Sequence, residues 1–288
     1  MKRIVTYVLT SLLTFTCGVT AGALFPWHRH ATKMCSLGAP VVPATPAPAE
    51  TDISAPDAEI VFGGDRLKLV PEEIQLKSRS LQYDLSVRYP QITGTDALHI
   101  RRLNQRIEEL ATKQYQWMLN PSKKDLLYYR EKHPDVFNEL SIDYEVTLAS
   151  DSILSIYFIG YSYGIGAATS VQYSFTINYD LVSGKELKLS DLFTPGSGYL
   201  GFVSRHCTDQ LAKHEYGDFL FKEGLAPEAA NYESWNVTRN GIRFNFDECE
   251  VFGCAAGEQA VEIPFTNLKS MLSGRALSIL GNSFVVEL

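Results

Sequence analysis

The polar and apolar positions of this chain change period several times. "SLQYDLSVRYP" alternates, with Leu81, Tyr83, Leu85, Val87 and Tyr89 set against Gln82, Asp84, Ser86 and Arg88. A period of two predicts a strand with one buried face, which Pro90 should end by removing a ladder donor. The period then lengthens. Leu103, Ile107 and Leu110 form one stripe, which predicts a helix capped at Thr95 or Asp96 and running to about Met118. Residues 121–138 are charged, hold Tyr128 and Tyr129, and read as a loop with a short helix. Three strand patterns follow. Ile142, Tyr144, Val146 and Leu148 alternate, Ile153 to Tyr163 is nearly continuous, and Val171, Tyr173, Phe175, Ile177 and Tyr179 alternate again. With "ASDS" at 149–152 as a tight turn, they predict an antiparallel meander.

Further on, Ser183-Gly184 reads as a turn and Ser190 as the cap of a short helical segment. Leu200, Val203, Cys207 and Leu211 share one helical face. "NVTRNGIRFNF" reads as a hairpin turning at Asn240-Gly241, "QAVEIPF" as a strand, and Thr266 as the cap of a helix to Leu272. This order predicts an α+β fold, an antiparallel sheet packed on helices.

"GYSYGIGAATS", residues 160–170, has the glycine spacing of a phosphate cradle. It joins two β runs, whereas a dinucleotide loop must open a helix whose N-terminus meets the phosphate. Turn geometry or close backbone approach accounts for these glycines instead.

The N-terminus adds a location. Ile4 to Trp27 carries no charge and as a helix would reach about 36 Å, enough for a bilayer core of about 30 Å. Lys2 and Arg3 keep the start cytoplasmic. The expected layout is a cytoplasmic stub at 1–3, an inner-membrane anchor at 4–27, a Pro/Ala-rich tether at 28–59 and a periplasmic domain at 60–288. The folded part should start near Ile60 or Glu73. Cleavage after Ala21-Gly22-Ala23, giving a secreted protein, and lipid attachment at Cys17 are the alternatives.

Lys2, Arg3, Arg29 and Lys33 are the only charges in residues 1–34, so the net −7 of the whole chain becomes −11 for the remainder. An acidic body disfavours nucleic acid and suits a basic partner.

Three segments together resemble a known family. They are "YDLSVRYPQITGTDALHIRRLNQRI", "SVQYSFTINYDLVSGKELKLSDLF" and "GIRFNFDECEVFGCAAGEQAVEIPFTNL". Their order resembles the extracytoplasmic domain shared by RsiV-type anti-sigma factors and PdaC-type peptidoglycan deacetylases (domain of unknown function 3298 with its N-terminal companion). The resemblance covers about residues 75–275 and implies an envelope domain working beside peptidoglycan. In RsiV-like proteins the domain is a lysozyme receptor, and in PdaC-like enzymes it adjoins a separate catalytic domain. A three-residue cytoplasmic stub leaves no sigma-binding segment, and nothing after Leu288 supplies a deacetylase. The expectation is therefore a non-enzymatic binding module for an envelope protein, with a basic lysozyme-like muramidase as leading partner. A peptidoglycan-acting enzyme or accessory domain is the alternative. Where the family commonly has a His in the glycine stretch, this chain has Ala168.

Cys249 and Cys254 stand where the family pattern usually has tyrosines, and paired replacement in an oxidising compartment suggests a disulfide. Their odd separation opposes a bridge on a straight strand, and a turn at Gly253 would permit one. Asp247, Glu248 and Glu250 form an acidic knot beside them, suited to a basic partner or to plain solvation. Tyr157, Tyr161, Tyr163, Tyr173 and Tyr179 line the meander, as core pairs or as a binding face. Tyr161, Tyr163, Asp247, Glu248 and Glu250 are the candidate binding residues. Cys207, on an apolar helix face, reads as a buried inert thiol. The six histidines form no ligand spacing, and no serine-hydrolase, zincin or Walker motif occurs. No catalytic residue, metal or cofactor is expected.

Overall fold

The computed structural model describes residues 60–62 and 66–281. The stub at 1–3, the anchor at 4–27 and the tether at 28–59 lie outside the described residues. Among the described residues no helix is long and apolar enough to cross a membrane.

A seven-stranded sheet runs in chain order: β1 (Ile60–Phe62), β2 (Leu67–Ser78), β3 (Tyr83–Thr93), β4 (Asn138–Ala149), β5 (Ile153–Tyr163), β6 (Val171–Asp180) and β7 (Lys185–Glu186). Every neighbouring pair is antiparallel except β3 and β4. That parallel pair corrects the all-antiparallel expectation. It arises because three helices intervene and return the chain to the end where β3 began: α1 (Leu98–Lys113), α2 (Gln116–Leu119) and α3 (Lys123–Lys132). Pro90 does not end β3, because it faces Pro71 across the ladder. The two missing N–H groups fall at one pair position, and pairing resumes through Thr93. α1 begins later than Thr95 or Asp96, with Ala97 as its cap residue and no side-chain cap.

One face of the sheet is dry. Ile100, Leu103, Ile107 and Ala111 of α1 are at most 1% exposed and meet Leu85, Val87, Ile142, Ile156 and Phe158. Burying each large aliphatic side chain there contributes about 1.5–3 kcal/mol. The Phe158 and Phe175 rings stack at 4.7 Å. Gly160 makes room for the Tyr173 ring, whose nearest atom would lie 2.4 Å from an added Cβ. Close approach is thus the use of the first glycine in the 160–170 stretch, and no helix follows it.

The other face carries a second, three-stranded sheet, ordered β10 (Gln259–Pro264), β9 (Gly241–Phe246) and β8 (Trp235–Val237). α4 (Tyr199–Leu211), α5 (Phe265–Leu268) and α6 (Gly274–Leu280) complete its separate apolar core. Val203, Cys207 and Leu211 lie on the buried face of α4, and burial pushes the Cys207 thiol up to about 12. β5 reads as a continuous apolar run because both its faces are covered. The β8–β9 turn is held by Thr238, whose hydroxyl accepts the N–H groups of Asn240 and Gly241. Gly241 is needed for packing and has no positive φ. A Cβ there would lie 2.3 Å from the Ile263 carbonyl oxygen.

Between the two sheets lies a polar layer. Ser155 donates to Asn178 Oδ1 (2.6 Å) and accepts from Asn236 Nδ2 and Val237 N–H (both 3.0 Å). Asn178 donates to the Trp235 carbonyl (2.7 Å), and Asn245 donates to Asn236 (3.0 Å). These groups are buried and mutually satisfied, so they fix how β8 crosses β5 and β6.

Candidate functional site

The polar layer leads to the loop between β9 and β10, residues 247–258. Val251 and Phe252, 1% and 2% exposed, plug this loop into the core below. Cys249 and Cys254 are bridged, as the turn at Gly253 permits. Cys249 takes a positive φ of 68°, a conformation uncommon for a side-chain-bearing residue.

Pinned at both ends, the loop gathers its acids, with Asp247, Glu248 and Glu258 half-buried and Glu250 exposed. The Ser174 hydroxyl on β6 donates to Asp247 Oδ1 at 2.6 Å. The Asp247 N–H donates to Glu250 Oε2 at 2.9 Å. The Tyr157 hydroxyl on β5 donates to Glu258 Oε2 at 2.8 Å. Arg243 of β9 lies over the Tyr157 ring, 4.9 Å from its centroid, and pairs with Glu145 of β4 at 3.0 Å. Four strands thus hold one acidic corner.

Burial pushes the Asp247 carboxyl up to about 7. The Ser174 hydrogen bond opposes this, and the charges of Glu250 and Glu258 add to it. Burial also raises Glu250, opposed by the Asp247 N–H, and raises Glu248 with help from Glu258. Burial, then Glu258, raises the Tyr157 phenol. One carboxyl therefore exchanges its proton near neutrality beside further carboxylates, the arrangement used for general acid–base work. Among the described residues no group of three or more His, Cys, Asp or Glu is placed to hold a metal ion.

Of the predicted residues, Asp247, Glu248 and Glu250 share the loop with the disulfide. Tyr161 and Tyr163 do not share that corner. They lie four and six residues beyond Tyr157 on β5, so Tyr161 is about 13 Å along the strand. Tyr161 is exposed and pairs with Ser141 and Gln172, and Tyr163 pairs with Glu139. Ser174, Glu258 and Arg243 were not among the predicted residues, and Tyr157 was read only as part of the meander. Asp180, in the turn that carries part of the family resemblance, is structural. It is fully buried, accepts the Val182 and Ser183 N–H groups and pairs with Arg275.

Two family models match this chain. Residues 76–171 match the deacetylase PdaC model, and residues 190–266 match a protein family of unknown function, DUF3298. Over 145 residues, 49% of the chain, it is 30% identical to the peptidoglycan-N-acetylmuramic acid deacetylase PdaC of Bacillus subtilis (strain 168). The matched stretch covers 31% of that relative's length. A crystal structure of a DUF3298 family member from Bacteroides fragilis shares the fold. Its TM-score is 0.57 at 18% identity, covering 76% of this chain and 98% of that one.

The match to a deacetylase overturns the expectation of a non-enzymatic module and points to an enzyme. The members of the acidic corner come from five separate stretches of chain, so no local motif announces them. One model falls on the large sheet with α1 and the other on the second core, so over these two stretches the chain is similar to the deacetylase PdaC and DUF3298 families.

Proposed function

We propose that this domain acts on peptidoglycan in cell-wall modification, with the acidic corner as the place where substrate is engaged. The observation that carries the reading is the neutral-range Asp247 carboxyl, hydrogen-bonded to Ser174 and flanked by Glu250 and Glu258, in a domain similar to part of a peptidoglycan deacetylase. A carboxyl that gains and loses a proton near pH 7 suits proton transfer at an amide or glycosidic group of the wall polymer. Residues 4–27 anchor the chain in the inner membrane and residues 28–59 carry the domain into the periplasm.

A basic envelope protein such as a lysozyme-like muramidase is the second reading. It is favoured by the net −11 of the chain beyond residue 34 and by the acidic loop. Incubating the full chain with purified peptidoglycan sacculi separates the two. The first reading expects co-sedimentation together with release of acetate or of soluble fragments. No sedimentation and no product, with saturable salt-sensitive binding of a basic muramidase, would replace it by the second.

A further inference from the structure

The second sheet covers only part of the large sheet's other face. Ile74, Leu85, Ile142, Phe158 and Phe175 belong to the α1 core, so positions of opposite parity on the same strands face away from α1. On that face one side chain from each strand, β2 to β6, falls in a single row. Gln75 pairs with Ser86, Ser86 with Ser141, Ser141 with Tyr161 and Tyr161 with Gln172. With strands about 4.8 Å apart, the row is about 19 Å long. Tyr161 is 44% exposed, Gln75 and Ser141 are exposed, and Ser86 and Gln172 are half-buried. A depression of about 470 Å³ opens at the β2–β3 end, lined in part by Gln75 and Ser86.

The row differs chemically from its surroundings. It carries no charge, and the cations beside it are occupied: Lys77 pairs with Asp84, and Arg88 with Asp143 at 3.4 Å. Gln75 donates one hydrogen bond, to Glu73 at 2.6 Å. Among the described residues Ser86, Ser141 and Gln172 make no side-chain hydrogen bond. Hydroxyl and amide groups both donate and accept, which suits a ligand bearing the same groups. An ionic ligand finds no counter-charge in the row, whereas an N-acetylated sugar chain presents hydroxyl and acetamido groups at its rim and C–H groups on its ring faces. At the β6 end, Gln172 is two residues from Ser174, whose hydroxyl holds Asp247. The row and the acidic corner are therefore about 7 Å apart along one strand.

We infer that this row is a platform for the sugar backbone of an N-acetylated glycan. A pyranose ring lies with its C–H face on Tyr161, and the neighbouring hydroxyl and acetamido groups meet Gln75, Ser86, Ser141 and Gln172. Tyrosine supplies a flat amphipathic surface, and side chains set on strands lose little freedom on binding. The inference rests on the proposed action on peptidoglycan and gives that action a surface that positions the glycan beside Asp247.

The test is calorimetric titration of the full chain with soluble peptidoglycan glycan strands freed of their stem peptides, beside product release from sacculi. Expected is saturable binding that added salt changes by less than about twofold, since no charge pair forms. Tyr161→Ala should weaken it about tenfold, and Tyr161→Phe, which keeps the ring, should stay within about twofold of the parent. Ser141→Lys, at an exposed position between Glu139 and Asp143, fills the row and should weaken binding about tenfold with urea unfolding unchanged. On sacculi, Tyr161→Ala and Ser141→Lys should raise the amount needed for half-maximal product release and leave the maximal rate as it was. Variants that bind glycan like the parent overturn the platform, and if sacculi are still processed the acidic corner stands. A parent that processes sacculi but binds no free glycan strand does the same. Row-dependent glycan binding without any product keeps the platform and removes the reading of the corner. A parent that neither binds glycan nor acts on sacculi overturns both.

Discussion

The two faces of the large sheet do different work. Against α1 the contacts are apolar, local in pattern and ordinary: Ile100, Leu103 and Ile107 cover Val87, Ile142 and Phe158. Against the three-stranded sheet the same strands present Ser155, Asn178 and Ser174, which bind Asn236, Trp235 and Asp247. One face supplies stability that any well-packed aliphatic set would supply. The other accepts the cost of burying polar groups and in return fixes four strands around an acidic corner. The acidic corner grows out of the polar layer.

The largest effect should come from breaking the dry face. Ile107→Ala, at a position with 0% exposure, is expected to destabilise the domain by about 2–5 kcal/mol in urea unfolding. A loss well under 1 kcal/mol would mean that α1 is not what holds the sheet. Next is the polar layer. Asn178→Leu strips Ser155 of its acceptor and the Trp235 carbonyl of its donor, for an expected loss of about 1–3 kcal/mol. Unchanged stability would show that the layer is not a connected network.

The loop comes third. Replacing both Cys249 and Cys254 by Ser opens a small ring and should cost at most about 2 kcal/mol. Because Asp247 and Glu250 are held by this loop, the same change should weaken wall association more than it weakens folding. Equal wall association by the double variant would separate the bridge from the site.

The pH effect is the most specific. Folded Asp247 keeps its proton to about pH 7, whereas the unfolded aspartate releases it near 3.8. Between these values the native state binds the extra proton, so this group's contribution to stability falls as pH rises through that window. Asp247→Asn should flatten that part of the Tm-against-pH curve. An unchanged slope would place the titration elsewhere.

The dry face was legible in the sequence because periods of two and 3.6 report burial on one side. β3, α1, β4, β5, β6 and α4 all follow from such runs. β2 was missed because its twelve residues mix Lys, Glu and Pro71, and α6 because only Ser273 marks its start. α3 showed as little more than charge. Part of the acidic corner was legible, since Asp247, Glu248, Glu250 and both cysteines lie close together in sequence. Ser174 lies 73 residues from Asp247, and Tyr157 lies 101 from Glu258. Only the packing of one sheet on the other brings those partners in, and no local pattern encodes it. Tyr161 and Tyr163 were chosen for their residue type, and strand geometry carries them past the corner.

The most direct test of the account is the pH profile of action on purified peptidoglycan sacculi, measured for the full chain and for Asp247→Asn. The account predicts association and product release that change across about pH 7 in the parent chain and are lost in the variant, which keeps the fold. A variant that matches the parent at every pH would contradict it, because the acidic corner would then have no part in what the domain does to the wall.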